Sequence, residues 1–187
     1  MKYVLFVLTC VALIACSSNN SAKHLEAIKS MNSSLDSIEK VMLENEIDTI
    51  AALRVATNGV ELRIKNNYYS DTIDMALGKK MDAYKVMRRN LGPLSRSYST
   101  VKKGIKEERL TLNNLKTDIQ NQNGDRTKYQ EYIDFEKGKV DQLRKILTEY
   151  VKEKTKTMET FHRLHKELYD FSIEVMNQKM NQKKPVK

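Results

Sequence analysis

Glu159, His162 and His165 lie three residues apart in turn, close enough on a helix to form a Glu-x-x-His fragment. Such a fragment is half of the carboxylate–histidine pair that di-iron bundles project into their interior. The other half is missing, because His24 is the remaining histidine and has no glutamate three residues before it. Phe161 and Leu164 take the apolar positions of the same stretch and turn Glu159 and His162 outward. His162 and His165 therefore read as helix-surface groups rather than ligands. No metal and no cofactor are expected. The chain has no glycine-rich phosphate loop, no Gly-x-Ser-x-Gly elbow and no His-Glu-x-x-His. Its carboxylates alternate with lysines at helical spacing, the pattern of a solvated helix exterior. Catalysis needs groups that converge in a pocket. Nothing in the spacing converges, so enzyme activity is not expected.

Long helices must carry whatever the chain does. Charged residues make up 30%, Pro93 and Pro185 are the two prolines, and tryptophan is absent. With strong apolar periodicity, that composition points to long helices or coiled coil. The clearest seam is Ile133, Glu136, Val140, Leu143, Leu147, Tyr150, Lys154, Thr157, Phe161, Leu164, Leu168, Phe171 and Val175. Its alternating steps of three and four predict one helix over about 127–180. Tyr98, Val101, Ile105, Glu108, Leu112, Leu115 and Ile119 repeat the pattern, closed by Gln122-Asn123-Gly124-Asp125 with Gly124 suited to a left-handed cap. Ile73, Leu77, Met81, Tyr84, Met87 and Leu91 predict a shorter helix over about 71–91, capped by Ser70 or Asp71. The first segment is expected as one helix over about 22–65. Ile28, Met31, Leu35, Ile38 and Met42 hold one heptad frame there, and Ile50, Leu53, Thr57, Val60 and Ile64 hold another.

Arms of similar length joined by short turns predict an all-α fold. The expected form is an elongated antiparallel three-helix, coiled-coil-like bundle, resembling a stretched spectrin repeat, with Gly92-Pro93 as a kink in the middle arm. The alternative is a compact four-helix bundle in which Gly92-Pro93 is a hairpin. Helices of 20–30 residues would leave half of the last helix, and its apolar seam, uncovered. The frame slip near 43–49, Pro93, and the polar seam residues Lys154 and Thr157 all fall at about the same height in the three-arm arrangement.

The N-terminus sets the expected location. Residues 3–15 form an apolar run behind Lys2, followed by Ser17-Ser18-Asn19-Asn20. A bilayer span needs about 20 apolar residues, so this shorter run reads as a signal-peptide core. Leu13-Ile14-Ala15-Cys16 closes the run and resembles the lipobox of bacterial lipoproteins: an aliphatic residue, a small residue, then the cysteine. The resemblance implies a diacylglycerol on the Cys16 sulfur, cleavage before Cys16 and an acylated new N-terminus. Cys10 is a poorer candidate, because Thr9 precedes it and the apolar run continues beyond it. Ser17 stands where an aspartate holds many such proteins at the inner membrane, so the resemblance favours the outer membrane, facing the periplasm. The expected organisation is a signal peptide over 1–15, a lipidated tether over 16–21, a helical bundle over 22–180 and a basic tail over 181–187. Cleavage removes Cys10 and lipidation occupies Cys16, which leaves no thiol for catalysis, redox exchange or metal binding.

The net charge is +9. An exported, lipid-anchored chain does not meet nucleic acid, so the expected partners are the membrane, through the lipid, and a protein or anionic envelope component. Tyr68 and Tyr69 lie in a predicted turn, where tyrosines supply contact area at low entropic cost. The three-arm arrangement places them at the same end as Lys179, Lys183 and Lys184, and these five are the candidate partner-binding residues. The expected role is that of a non-enzymatic spacer, scaffold or adaptor. The alternative is a chaperone-like or envelope-binding module gripping clients with its basic helices.

Overall fold

The computed structural model describes residues 2–46 and 50–182, with side chains described from residue 20 onward. It contains α1 (Lys2–Glu44), α2 (Ile50–Asn67), α3 (Met75–Asn121) and α4 (Tyr129–Gln182), with a 3-10 turn at Arg126–Lys128 before α4. No strand occurs among the described residues. The fold is an all-α bundle, as the heptad spacing predicts. Cys16, Lys183 and Lys184 lie outside the residues whose side chains are described.

The helices form two compact units, Met1–Glu44 with Thr100–Leu147 and Asn45–Ser99 with Thr148–Lys187. Each is a three-helix bundle. In unit 1, Ile28, Leu35 and Met42 of α1 are buried along with Val101, Leu112 and Ile119 of α3 and Ile133, Val140 and Leu147 of α4. In unit 2, the buried residues are Val60 and Ile64 of α2, Tyr84, Met87 and Leu91 of α3, and Leu164 and Leu168 of α4. Every one is a seam position. The α3–α4 pairs run antiparallel in both units. Gly104 faces Leu143 and Glu108 faces Lys139 in unit 1, while Lys80 faces Glu167 and Tyr98 faces Tyr150 in unit 2.

Three local expectations are corrected. The arm expected as one helix over 22–65 is two helices, because α1 ends at Glu44 and α2 begins at Ile50. The apolar frame steps eight residues from Met42 to Ile50, which on a continuous helix rotates the stripe by about 80°. Breaking the helix resets that phase. Asn45, at the break, accepts at its carbonyl oxygen from the Tyr150 hydroxyl (2.7 Å) and at Oδ1 from Lys154 Nζ (3.3 Å). The polar seam residue Lys154 thus has a partner. Second, α3 begins at Met75, capped by Asp74, whose Oδ1 accepts from the amides of Ala76 and Leu77 (3.0 and 2.9 Å). Ile73 therefore lies in the loop at 87% exposure instead of on the seam. Third, the left-handed residue that ends α3 is Gln122 (φ 56°), two positions before Gly124 (φ 74°). The Asn123 amide bonds Asp118 O and the Gln122 amide bonds Ile119 O, a Schellman pattern centred on Gln122.

α3 runs through Pro93 without interruption, so Gly92-Pro93 is not a hairpin and the compact four-helix alternative does not hold. A proline inside a helix costs about 3 kcal/mol. Burial of Leu91 and Leu94 on either side offsets that loss. Pro93, Tyr150 and Glu153 line one small groove in unit 2, on the part of α4 that also binds Asn45.

Candidate functional site

The α2–α3 loop of unit 2 brings Tyr68, Tyr69 and Lys179 to one open groove, joined by Lys65, Phe171 and Gln182. The three candidates do different things there. Tyr68 is half-buried, its ring edge-on to Phe171 at 5.4 Å, and it closes the end of the core. Lys179 Nζ donates to the Asn66 carbonyl oxygen, one of the acceptors left unpaired at the end of α2. Its ammonium acts as a helix cap. Tyr69 is 88% exposed. Of the three it alone offers its whole ring to solvent. An adjoining groove between α3 and α4 holds Leu77, Leu168 and Phe171 under a rim of Asp74, Glu167, Asp170 and Glu174.

His165 is placed differently from the surface reading. It is half-buried, stacked on Phe161 (centroids 4.4 Å apart, planes 19° apart), and its Nδ1 pairs with the hydroxyl of the fully buried Tyr84. With the imidazole proton on Nε2, Nδ1 is free to accept from that hydroxyl. Burial lowers the pKa of His165, assisted by the positive charge of Arg63, and so keeps the ring neutral. Burial also raises the pKa of Tyr84, with Glu61 adding to the effect. Arg63 itself lies over the Tyr169 ring (5.3 Å) and donates from Nε to Ser172 Oγ (3.0 Å). The seam arithmetic misses this cluster because His165 follows Leu164 at the edge of the apolar stripe. The one clue is the concentration of rings at 161, 165 and 169 on one flank. Glu159 and His162 are exposed, as expected.

Unit 1 holds a charged triad between α3 and α4. Lys139 Nζ lies 2.7 Å from Glu108 Oε1 and 2.9 Å from Glu136 Oε2, and both glutamates are buried at seam positions. Burial raises the pKa of Glu108; the hydrogen bond from Lys139 opposes this and the neighbouring Glu136 adds to it. Burial pulls Lys139 down, but the two carboxylates outweigh it and hold the ammonium charged. The second oxygen of Glu108 has no hydrogen-bond partner. Through this triad Lys139 of α4 reaches across to Glu108 of α3. Among the described residues, no group of three histidine, cysteine or acidic side chains is placed to hold a metal ion. No described helix is long and apolar enough to cross a membrane. No family model matches this chain, and neither a curated protein nor a solved structure matches it.

Proposed function

We propose that this chain is a cell-envelope lipoprotein, held on a membrane through Cys16, whose helical bundle acts as a non-enzymatic spacer, scaffold or adaptor. The observation that carries this reading is Leu13-Ile14-Ala15-Cys16 at the end of a signal-like apolar run. The Ser17 that follows favours the outer membrane, with the bundle in the periplasm. Two or more acyl chains anchor stably where one does so only marginally, so a processed and acylated Cys16 keeps the protein on its membrane. The side chains support a structural role, because the conspicuous polar groups serve the packing. Lys179 caps α2, Lys139 bridges two buried glutamates, and His165 pairs with a core tyrosine. The partner surface is the loop end of unit 2. Tyr69 is its exposed ring, Tyr68 and Lys179 shape the groove beside it, and the tail lysines Lys183 and Lys184 add charge. The partner is a protein or an anionic envelope component.

Mass spectrometry of the membrane fraction tests the anchor. The N-terminal peptide should begin at an acylated Cys16. Cys16→Ala should leave the chain unprocessed or released, and Cys10→Ala should change neither. Acylated, membrane-bound protein from the Cys16→Ala gene refutes the assignment. Tyr69→Ser should weaken crosslinking to the partner in intact envelopes while leaving helicity unchanged.

A further inference from the structure

Lys128, Tyr132, Phe135 and Lys139 recur at steps of four, three and four, so they form one strip along the first turns of α4 and the 3-10 turn before it. Unit 1 has three described tyrosine and phenylalanine rings. Tyr129 is buried, while Tyr132 and Phe135 are 42% and 65% exposed. Gly138, one turn beyond Phe135, adds no side chain beside the ring, and a Cβ there would meet nothing within 4 Å. Lys139 lies over the Phe135 ring at 5.5 Å. Its charge is already matched by Glu108 and Glu136. Lys128 forms no ion pair with a described carboxylate, although its charge acts on nearby Asp125, and Arg126 donates to the Gln122 side-chain oxygen. Asp125 is occupied in capping, accepting from the Thr127 amide and hydroxyl. Glu131 and Glu136 are acidic residues flanking the strip, and Glu136 is engaged by Lys139.

The place of this strip matters as much as its chemistry. The Tyr129 ring meets the His24 ring edge-on at 6.1 Å, which fixes the start of α4 against α1. His24 follows Cys16 by eight residues, a separation of about 12 Å along a helix and at most about 28 Å in extended chain. Tyr132 and Phe135 lie within two turns of Tyr129. Exposed rings beside lysines whose stems can lie along apolar surface are the side chains that favour a lipid–water interface. Basic residues next to it gain from anionic headgroups. A contact too weak to hold a free protein is occupied when a tether raises its effective concentration to the millimolar range.

We propose that Lys128, Tyr132 and Phe135, with Arg126 beside them, rest on the anionic phospholipid surface to which Cys16 is tied, so that unit 1 leans on the membrane along the start of α4. This rests on the lipid-anchor reading above. The test uses the full-length lipidated chain, in which an acylated Cys16 leaves no free thiol. Gly138→Cys introduces one beside the strip without touching it, and Leu110→Cys introduces one on α3, where Leu110 is 64% exposed. Each is labelled with an environment-sensitive fluorophore in vesicles of phosphatidylethanolamine and phosphatidylglycerol containing headgroup-quencher lipid. Quenching should be several-fold stronger at position 138 than at 110. Tyr132→Ser with Phe135→Ser should reduce it to the level at 110. Equal quenching at both positions with Cys16 acylated overturns the proposal and leaves the anchor standing. Shielding of position 138 only when envelope proteins are added makes the strip a protein interface and also overturns it. A Cys16 thiol that still reacts with the label overturns the anchor, and this proposal with it.

Discussion

Replacing Gly138 and Gly104 by alanine should move the stability of unit 1 in opposite directions. Both glycines lie in helix interiors, α4 and α3 respectively, where alanine is favoured over glycine by about 1 kcal/mol. At Gly138 the new methyl meets nothing within 4 Å. The whole propensity gain should therefore appear as about 1 kcal/mol of added stability. At Gly104 the same methyl falls inside van der Waals contact of Leu143 Cδ2, with Cδ1 at 3.3 Å and Cγ at 3.4 Å. Leu143 is itself buried, so its side chain has little room to swing away. Overpacking of this kind costs about 1–3 kcal/mol, and subtracting the helical gain leaves a net loss of up to about 2 kcal/mol. Urea unfolding followed by far-ultraviolet circular dichroism separates the two. With a slope of about 2 kcal/mol per molar urea, Gly138→Ala should raise the midpoint by about 0.5 M and Gly104→Ala should lower it. Adding Leu143→Ala to Gly104→Ala should cost less than the two single losses combined, because the new methyl fills part of the space left by the leucine. A Gly104→Ala midpoint as high as that of Gly138→Ala would falsify the close α3–α4 approach at this level.

His165 should make unit 2 sensitive to acid. Its pKa is held below the ordinary 6.5, so the unfolded chain takes the proton more readily than the folded one. The stability that neutral His165 contributes is complete above about pH 6.5 and is lost as pH falls from there through the lowered folded value. Melting temperatures between pH 7.5 and 5 should fall more steeply for the native chain than for His165→Phe. Glu108 has the opposite sign: its raised pKa means that the charged form opposes folding, an effect absent below the unfolded value near 4.5 and growing as pH rises through the folded one. Glu108→Gln should accordingly raise the melting temperature at pH 7, with the gain fading at pH 4. Tyr150→Phe removes the hydroxyl that holds Asn45 O and should cost about 1 kcal/mol, with faster amide exchange around residues 45 and 50. Burial, with Glu46 nearby, pushes that hydroxyl up to about 12, so no pH effect from it is expected below pH 10.

Helix α4 was legible to within two residues at each end, because thirteen seam positions in strict alternation leave no competing period. The continuity of α3 past Pro93 was legible for a different reason, namely that helices of 20–30 residues would leave half of the last helix uncovered. The boundaries that failed are those decided by one or two hydrogen bonds. Asp74 captures two amides and starts α3 four residues later than the apolar pattern suggests. Apolar spacing also carries Ile73, which no neighbouring helix covers. The break after Glu44 shows in the eight-residue step, but spacing alone does not distinguish an unwound helix from an interrupted one. At the loop end of unit 2, the meeting of Tyr68, Tyr69 and Lys179 followed from counting along the arms. Their separate roles did not, since those depend on which carbonyl the lysine reaches and which ring the tyrosine meets. His165 and Glu108 were obscured by the same limit. A polar residue at or beside an apolar stripe has a definite environment only once the neighbouring helices are in place.

Helices α3 and α4 each supply residues to both units without a break, and this constrains how the chain can change length. One residue inserted after Ser99 would turn the rest of α3 by about 100°. Thr100, Gly104, Glu107, Thr111, Asn114 and Asp118 would then occupy the positions now held by Val101, Ile105, Glu108, Leu112, Leu115 and Ile119. Seven inserted residues would restore the phase. The turns after Asn67 and Asn121 lie outside the helical phase, although the bonds that Asp74, Asn123 and Asp125 make there still favour the present lengths. Surviving insertions and deletions inside the helices should therefore favour multiples of seven, and single-residue changes should be better tolerated in the turns than in the helices. A library of random single-residue insertions would read this directly as a map of which backbone segments are in rotational register.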